Sequence, residues 1–253
     1  MKSINFIKTY QILGIDIHST NLQNVKTVLE SVLNSNSTPN LITTFNLDFL
    51  RITTIDPEFK NICTESLYNF PDGYGIVSII KKKYKEKINR ITGTDIFLTL
   101  IKLAKEHNKK IAIIGGSESV SQLTEQLLIN QYYILSNNLL CISPEYLFEQ
   151  NKNTNSSIVK KVKEFQPDIV FAALGCPRQE KWLFNNMNIF GSKINVGIGA
   201  TLDFFTGKKR RSPVFLQKIG LEWLWRLMNE PIRLFERYIL KDLPFFLKII
   251  FKV

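Results

Sequence analysis

Apolar residues fall along this chain in two kinds of run, and their alternation predicts the architecture. Short unbroken stretches, Leu41–Phe45, Lys110–Ile114, Asp168–Leu174 and the segment opening at Ile194, read as strands covered on both faces, the habit of a parallel sheet. Between them apolar positions recur at helical spacing: Leu22, Val25, Leu29, Val32 and Leu33, then Ile96 to His107, then Val120, Leu123 and Leu127, then Ile158 to Phe165, then Trp182, Leu183 and Met187. Strand alternating with helix predicts an α/β fold with a doubly wound, mostly parallel, Rossmann-like sheet, in which Asp168–Leu174 is a central strand. Ile12–Ile17 reads as one short apolar segment ahead of the first helix. Thr20–Gln23 has a capping-box pattern for that helix, and the Ser/Asn-rich stretch Asn34–Asn40 ends it.

The strand ends are where polar groups gather. Thr44, Asn46 and Asp48 make the polar end of the first predicted strand, Asp72 stands with Gly73 and Gly75 ahead of an apolar helix, and Gly115-Gly116 closes the Lys110 strand. Gly175 and Pro177 stop the Asp168 strand before Arg178 and Gln179, and Ile194–Asp203 is a glycine-rich turn closed by an acid. In open α/β sheets, ligands sit outside the carboxyl ends of strands, where helix N-termini favour negative charge. Each group also has an ordinary use: Asn46, Asp48 and Asp72 can cap helices, and Thr94 or Asp95 can cap the helix Ile96–His107. Arg90 near that helix start is not needed for the helix dipole, so it fits a phosphate or carboxylate ligand better. Gly115-Gly116 resembles half a nucleotide-binding motif, without the full GxGxxG.

Charge changes the picture beyond Gly207. The formal charge is +11, and residues 207–253 hold eleven Lys/Arg against four Asp/Glu, which is +7 of that total. We therefore divide the chain into an α/β body, 1–206, and a basic helical appendage, 207–253. Two helices are expected there, Leu216–Asn229 and Pro231–Leu240, broken at Glu230 because Pro231 suits a first helical position. Arg233 and Arg237, four apart, would share a face. Phe245–Phe251 is too short and too cationic to span a bilayer but suits a lipid interface; the alternative is a helical cap packed on the sheet. A basic tail interleaved with aromatic residues points to a membrane surface or nucleic acid. Three cysteines without metal-ligand spacing indicate free thiols in a reducing compartment, and two histidines are too few for a His-rich metal site. The N-terminal stretch has no signal-peptide apolar region, so a cytoplasmic protein is expected, soluble or bound to a membrane from outside the bilayer.

Taken in order, TFNLDF (44–49), PDGYGIV (71–77), RITGTD (90–95), IIGGS (113–117), LGCPRQEKW (174–182), VGIGATLDFFTGKKRRSP (196–213) and LEWLWRLMNEPIRLFERY (221–238) resemble the WecG/TagA/CpsF family of bacterial glycosyltransferases. The resemblance implies inverting transfer of a sugar, commonly N-acetylmannosamine, from a UDP donor to undecaprenyl-diphosphate-linked N-acetylglucosamine, for teichoic acid or another surface polysaccharide. It implies that Asp72 is the base, that Thr44, Asn46, Arg90 and Gln179 line one pocket with it, and that Arg226, Arg233 and Arg237 close over the diphosphate near the inner face of the membrane. It also implies a homo-oligomer. The chemistry agrees: a single displacement needs one base and something to stabilise departing UDP. No Asp-x-Asp occurs in the chain, so no metal cofactor is expected; the leaving charge would fall to arginines and to helix N-termini such as Gly115-Gly116 and the Arg178-Gln179 turn. Two other readings compete. A nucleic-acid-binding module would use the basic aromatic tail but leaves Asp72, Gln179 and Asp203 unexplained, and a nicotinamide oxidoreductase lacks the third glycine and a ribose-binding acid.

Overall fold

The computed structural model describes residues 6–35 and 38–252. Residues 1–5, part of the stretch read for a leader, and 36–37, within the Ser/Asn-rich connection, lie outside the described residues. Two strands, β1 (Lys8–Ile12) and β2 (Ile15–Ser19), form an antiparallel hairpin. Six more, β3 (Asn40–Phe45), β4 (Tyr68–Pro71), β5 (Ile111–Gly115), β6 (Leu139–Ile142), β7 (Ile169–Ala173) and β8 (Ile194–Gly197), form a parallel sheet in the order β4-β3-β8-β7-β5-β6. The chain winds out from β3 to the edge at β4, crosses to β5, winds out to β6, and returns through β7 to β8. This is the expected doubly wound sheet, with β7 and β8 at its middle.

The unbroken apolar runs are explained by which face each residue serves. Ile111, Ile113, Ile169 and Phe171 join one core with the helices Leu22–Leu33, Gly93–Glu106 and Glu118–Asn130. Ala112, Ile114, Val170 and Ala172 join another with the helices Lys152–Phe165 and Arg178–Phe190. Both faces are dry, so alternation vanishes from the sequence. A fully buried Ile or Phe contributes about 1.5–3 kcal/mol, so these two layers carry most of the stability.

Local readings fail where a turn or cap takes an unexpected residue. Ile12–Ile17 is the corner of the hairpin: Leu13 (φ 50°) and Gly14 (φ 83°) both take left-handed conformations, the requirement of a two-residue hairpin turn, and leucine there gives no Asn-Gly signal. The first helix is capped by Asn21, whose side chain accepts from the Asn24 N–H, while Thr20 donates to the Phe6 carbonyl. The helix expected from Ile96 starts at Gly93, capped by Thr92 in a reciprocal box with Asp95.

At Gly115 the fold depends on the absence of a side chain. Its φ is +118°, and a Cβ would lie 2.5 Å from the backbone oxygen of Ala173 on the neighbouring strand. Gly115→Ala therefore combines backbone strain with a clash against rigid backbone, and we expect it to cost about 3 kcal/mol or more, lowering the melting temperature by roughly 6–12 °C. A thermal melt within 2 °C of wild type would show that the β5–β7 joint yields.

The region beyond Gly207 is helical but not separate. Helices Val214–Lys218, Glu222–Asn229 and Pro231–Phe235 are followed by a π-helical stretch, Glu236–Asp242, and a last helix, Leu243–Lys252. The break at Glu230 with Pro231 opening the next helix is as the sequence indicates, but the expected helix Leu216–Asn229 is interrupted at Ile219–Leu221. Leu234 and Ile249 are buried, and Ile249 joins the core made by the hairpin and the helix Tyr74–Tyr84. The last helix thus packs one side on the body, while Leu247 and Phe251 remain exposed.

Candidate active site

The ends of β3 and β4 set out the site. The Asp72 N–H donates to the Phe45 carbonyl at 2.8 Å, and the Ile91 N–H donates to the Pro71 carbonyl at 2.8 Å, so Asp72 and Arg90 are brought to one strand end although they are 18 positions apart. Gly73, at φ +78°, then turns the chain into the helix Tyr74–Tyr84 and is itself its N-cap, so the Asp72 carboxylate is not used as a cap. The appendage covers this end. Gly220 makes the approach possible, since a Cβ there would meet the Tyr74 ring at 2.9 Å.

Between body and appendage lies a cavity of about 450 Å³. Asn46, Asp48, Asp72, Tyr74 and Arg90 line it from the body, and Glu222, Trp223, Arg226, Arg237, Tyr238, Asp242, Leu243 and Phe246 from the appendage. Charged groups in its wall, with Arg51 behind them, form two clusters. In the first, Glu222 pairs with Arg90 and with Arg226, each at 2.5 Å, beside Asp72. In the second, Arg51 and Arg237 interleave with Asp48 and Asp242: Arg51 lies 2.5 Å from Asp48 and 3.2 Å from Asp242, and Arg237 lies 3.0 Å from Asp48. The Nε atoms of Arg226 and Arg237 are buried without a hydrogen bond; the Arg237 contact to Asp48 is an ion pair out of line for one.

These surroundings sort the carboxylates by use. Asp48, Glu222 and Asp242 are each paired with arginine, whereas the Asp72 carboxylate forms no hydrogen bond among the described residues. Burial pushes Asp72 up to about 6; Arg90 and Arg226 oppose this, and Glu222 and Asp95 add to it. Burial likewise pushes up Glu222, but Arg226 and Arg90 outweigh it and hold that carboxyl low. Asp242 is raised by burial and by Asp48.

Of the residues expected to bind substrate, Asn46, Asp72, Arg90, Arg226 and Arg237 line this cavity; Asn46 also caps the helix Leu47–Ile52, accepting from the N–H groups of Asp48 and Phe49. The others stand elsewhere. Gln179 does not share the cleft with Asp72 and Arg90: it is buried, its Oε1 accepting from the Gly175 and Gly199 N–H groups and its Nε2 donating to Glu180, so it ties the ends of β7 and β8 together. Thr44 is buried near Gly93 and Thr201. Gly115 and Gly116 turn the chain beyond β5, and Asp203 pairs with Lys209 at 3.2 Å. Arg233 pairs with Glu230 at 2.7 Å on the surface, whereas Arg237 reaches Asp48 in the cavity wall. Asp48 was legible as one of the polar groups at the end of the first strand or as a cap, whereas Glu222 and Asp242 in the cavity wall, and Arg51 behind Asp48 and Asp242, had no local signal at all.

The only three-residue group of possible ligand atoms among the described residues is Glu30, Glu106 and His107, on the exposed side of the body and away from the cavity.

Comparison with known proteins places the chain in a family. The chain is 26% identical over 241 residues to proteins of Staphylococcus aureus strains MRSA252 and NCTC 8325, covering 93% of this chain and 89% of theirs. Both are named N-acetylglucosaminyldiphosphoundecaprenol N-acetyl-beta-D-mannosaminyltransferase. A family model matches residues 10–253, hairpin, sheet and appendage together, and the chain belongs to the glycosyl transferase WecG/TagA/CpsF family.

Proposed function

We propose that the chain transfers N-acetylmannosamine from a UDP-linked donor to the N-acetylglucosamine of an undecaprenyl-diphosphate acceptor, in one inverting displacement with Asp72 as general base. The observation that carries this reading is the lone unpaired carboxylate of the cavity standing beside two arginines. A base must be free to accept a proton from the acceptor hydroxyl, and it works best with a pKa not far below the working pH. Asp72, raised to about 6, meets both needs. Arg90 and Arg226 face the same space and are suited to the charge that develops on departing diphosphate. Gly115, Gly116, Gln179 and Asp203 follow the carboxyl ends of β5, β7 and β8, the same end of the sheet, where the nucleotide would extend.

Because Asp72 acts ionised, the rate should hold above about pH 6 and fall roughly tenfold for each pH unit below it. No cation takes part in this scheme, so EDTA should leave the rate intact; a loss restored by Mg²⁺ would make an ion a participant.

The appendage supports work at the membrane surface on the cytoplasmic side. Ile232 is 99% exposed and Phe215, Leu247 and Phe251 are also exposed, with Lys208–Arg211, Lys248 and Lys252 among them. That mixture of apolar and cationic groups suits an anionic lipid interface. No helix among the described residues is long and apolar enough to cross a membrane. Trp223, Leu243 and Phe246 carry the apolar character into the cavity wall, where the carrier lipid of the acceptor would enter.

The decisive assay offers a panel of UDP-sugars with a short-chain lipid-diphosphate N-acetylglucosamine acceptor. Transfer of N-acetylmannosamine is expected, and transfer of another sugar alone would replace the donor assignment. No transfer from any donor would end the reading.

A further inference from the structure

The helix Glu222–Asn229 carries in its first turn an acid that the scheme above leaves unused. Glu222 is 6% exposed, and its two oxygens serve different parts of the chain: Oε2 lies 2.5 Å from Nη1 of Arg90 in the body, and Oε1 lies 2.5 Å from Nη2 of Arg226 in the appendage. An acid in a first turn has an ordinary use, complementing the helix dipole at a solvated end. Burial between two guanidinium groups is a different situation, because a carboxylate removed from water is tolerated only when donors surround it.

We propose that Glu222 is a positioning residue of the transfer reaction: its carboxylate ties Arg90 to Arg226 across the cavity, aiming both guanidinium groups at the departing diphosphate, and cancels part of the positive charge that faces Asp72. This rests on the reading of Asp72 as the base. The tie orients the arginines without using them up. Each spends one terminal nitrogen on Glu222; the other terminal nitrogen of Arg90 reaches Gln217 only at 3.5 Å, and Nε of Arg226 is buried without a partner.

The charge balance fixes the sign of the effect. Arg90 and Arg226 face Asp72 and favour its ionised form, while Glu222 and Asp95 disfavour it; Asp48, Arg237, Tyr238 and Asp242 line the farther part of the same cavity. Without the Glu222 charge two cations remain against one anion, so Asp72 holds its proton less tightly and becomes a weaker base.

The test compares rate–pH profiles, from pH 4.5 to 9, of the full-length wild type, Glu222→Gln, Glu222→Asp and Asp72→Asn, with UDP-N-acetylmannosamine and the short-chain lipid acceptor. For Glu222→Gln the acid limb should move down by about half to one pH unit and the plateau kcat should fall about three- to tenfold. Glu222→Asp keeps the charge but is one methylene too short to span both arginines. Its limb should stay in place while KM for the UDP-sugar rises several-fold. A merely structural Glu222 would alter melting temperatures and leave both limb and KM unchanged, which overturns the proposal. Should Glu222→Gln not fold, an unchanged KM in Glu222→Asp overturns it alone. Turnover retained in Asp72→Asn would instead remove the base reading beneath it, whatever the Glu222 variants do.

Discussion

Asp72→Asn should abolish transfer, lowering kcat by about a thousandfold or more, while raising the melting temperature at pH 8. The two effects have one cause. Asp72 is placed where ionisation is unfavourable: its carboxyl, ordinarily near 3.8, is pushed up to about 6, chiefly by burial. A folded-state pKa above the unfolded value means that the folded protein binds more protons in that window, so stability falls as pH rises from about 4 to about 6 and the full penalty is present above it. A shift of this size corresponds to about 3 kcal/mol, and losing the carboxylate also leaves Arg90 and Arg226 less well balanced, so a net gain of about 1–2 kcal/mol is expected from the amide. Melts at pH 8 and pH 4.5 make the check: the variant should be the more stable at pH 8, with the difference shrinking at pH 4.5 as the wild type takes up its proton. A variant both inactive and less stable at pH 8 would make Asp72 a structural acid, and near-normal turnover would remove it from the base role.

How much of this could be read from the chain follows from how local each feature is. The sheet was legible because all of β5 and the residues Ile169–Ala172 of β7 are buried on one face or the other, which leaves an unbroken apolar run as its trace. Asp72 stood out as a polar group beside two glycines at a strand end, but its reading as the base came from the family resemblance. The second charged cluster was not legible, since Arg51 and Asp242 lie 191 positions apart and meet only when the π-helical stretch folds back against the helix Leu47–Ile52. Glu222 and Arg90 are 132 positions apart and were invisible as a pair for the same reason. Arg233 and Arg237 went astray differently: a spacing of four makes them neighbours along a helix but does not say which partner each long side chain reaches. Arg237 turns to Asp48 in the cavity wall, while Arg233 stays on Glu230 at the surface. Gln179 was recognised as a polar group near a strand end, but whether it faces a ligand or the neighbouring loop depends on a rotamer. The structure shows the loop.

That divergence of neighbouring arginines gives the second large effect. Arg226→Ala should lower kcat/KM for the UDP-sugar by about a hundredfold, the cost of losing one or two charge-assisted hydrogen bonds to a diphosphate, about 2–3 kcal/mol. Arg226→Lys should recover only part of it, because an ammonium keeps the charge but not the paired donors. The prediction rests on what already holds the side chain. Its guanidinium lies 5.1 Å from the centre of the Phe204 ring and one terminal nitrogen is fixed by Glu222, so the group is oriented before any ligand arrives, with its Nε still without a partner. A preordered donor loses little entropy on binding. Arg233→Ala supplies the contrast, since Arg233 is 57% exposed at its side chain and pairs with Glu230 outside the cavity; its loss should cost less than about fivefold. Steady-state kinetics of the three variants separate the outcomes. Equal losses at Arg226 and Arg233 would mean that the basic appendage acts through its overall charge on the membrane, and not through one arginine set beside the base.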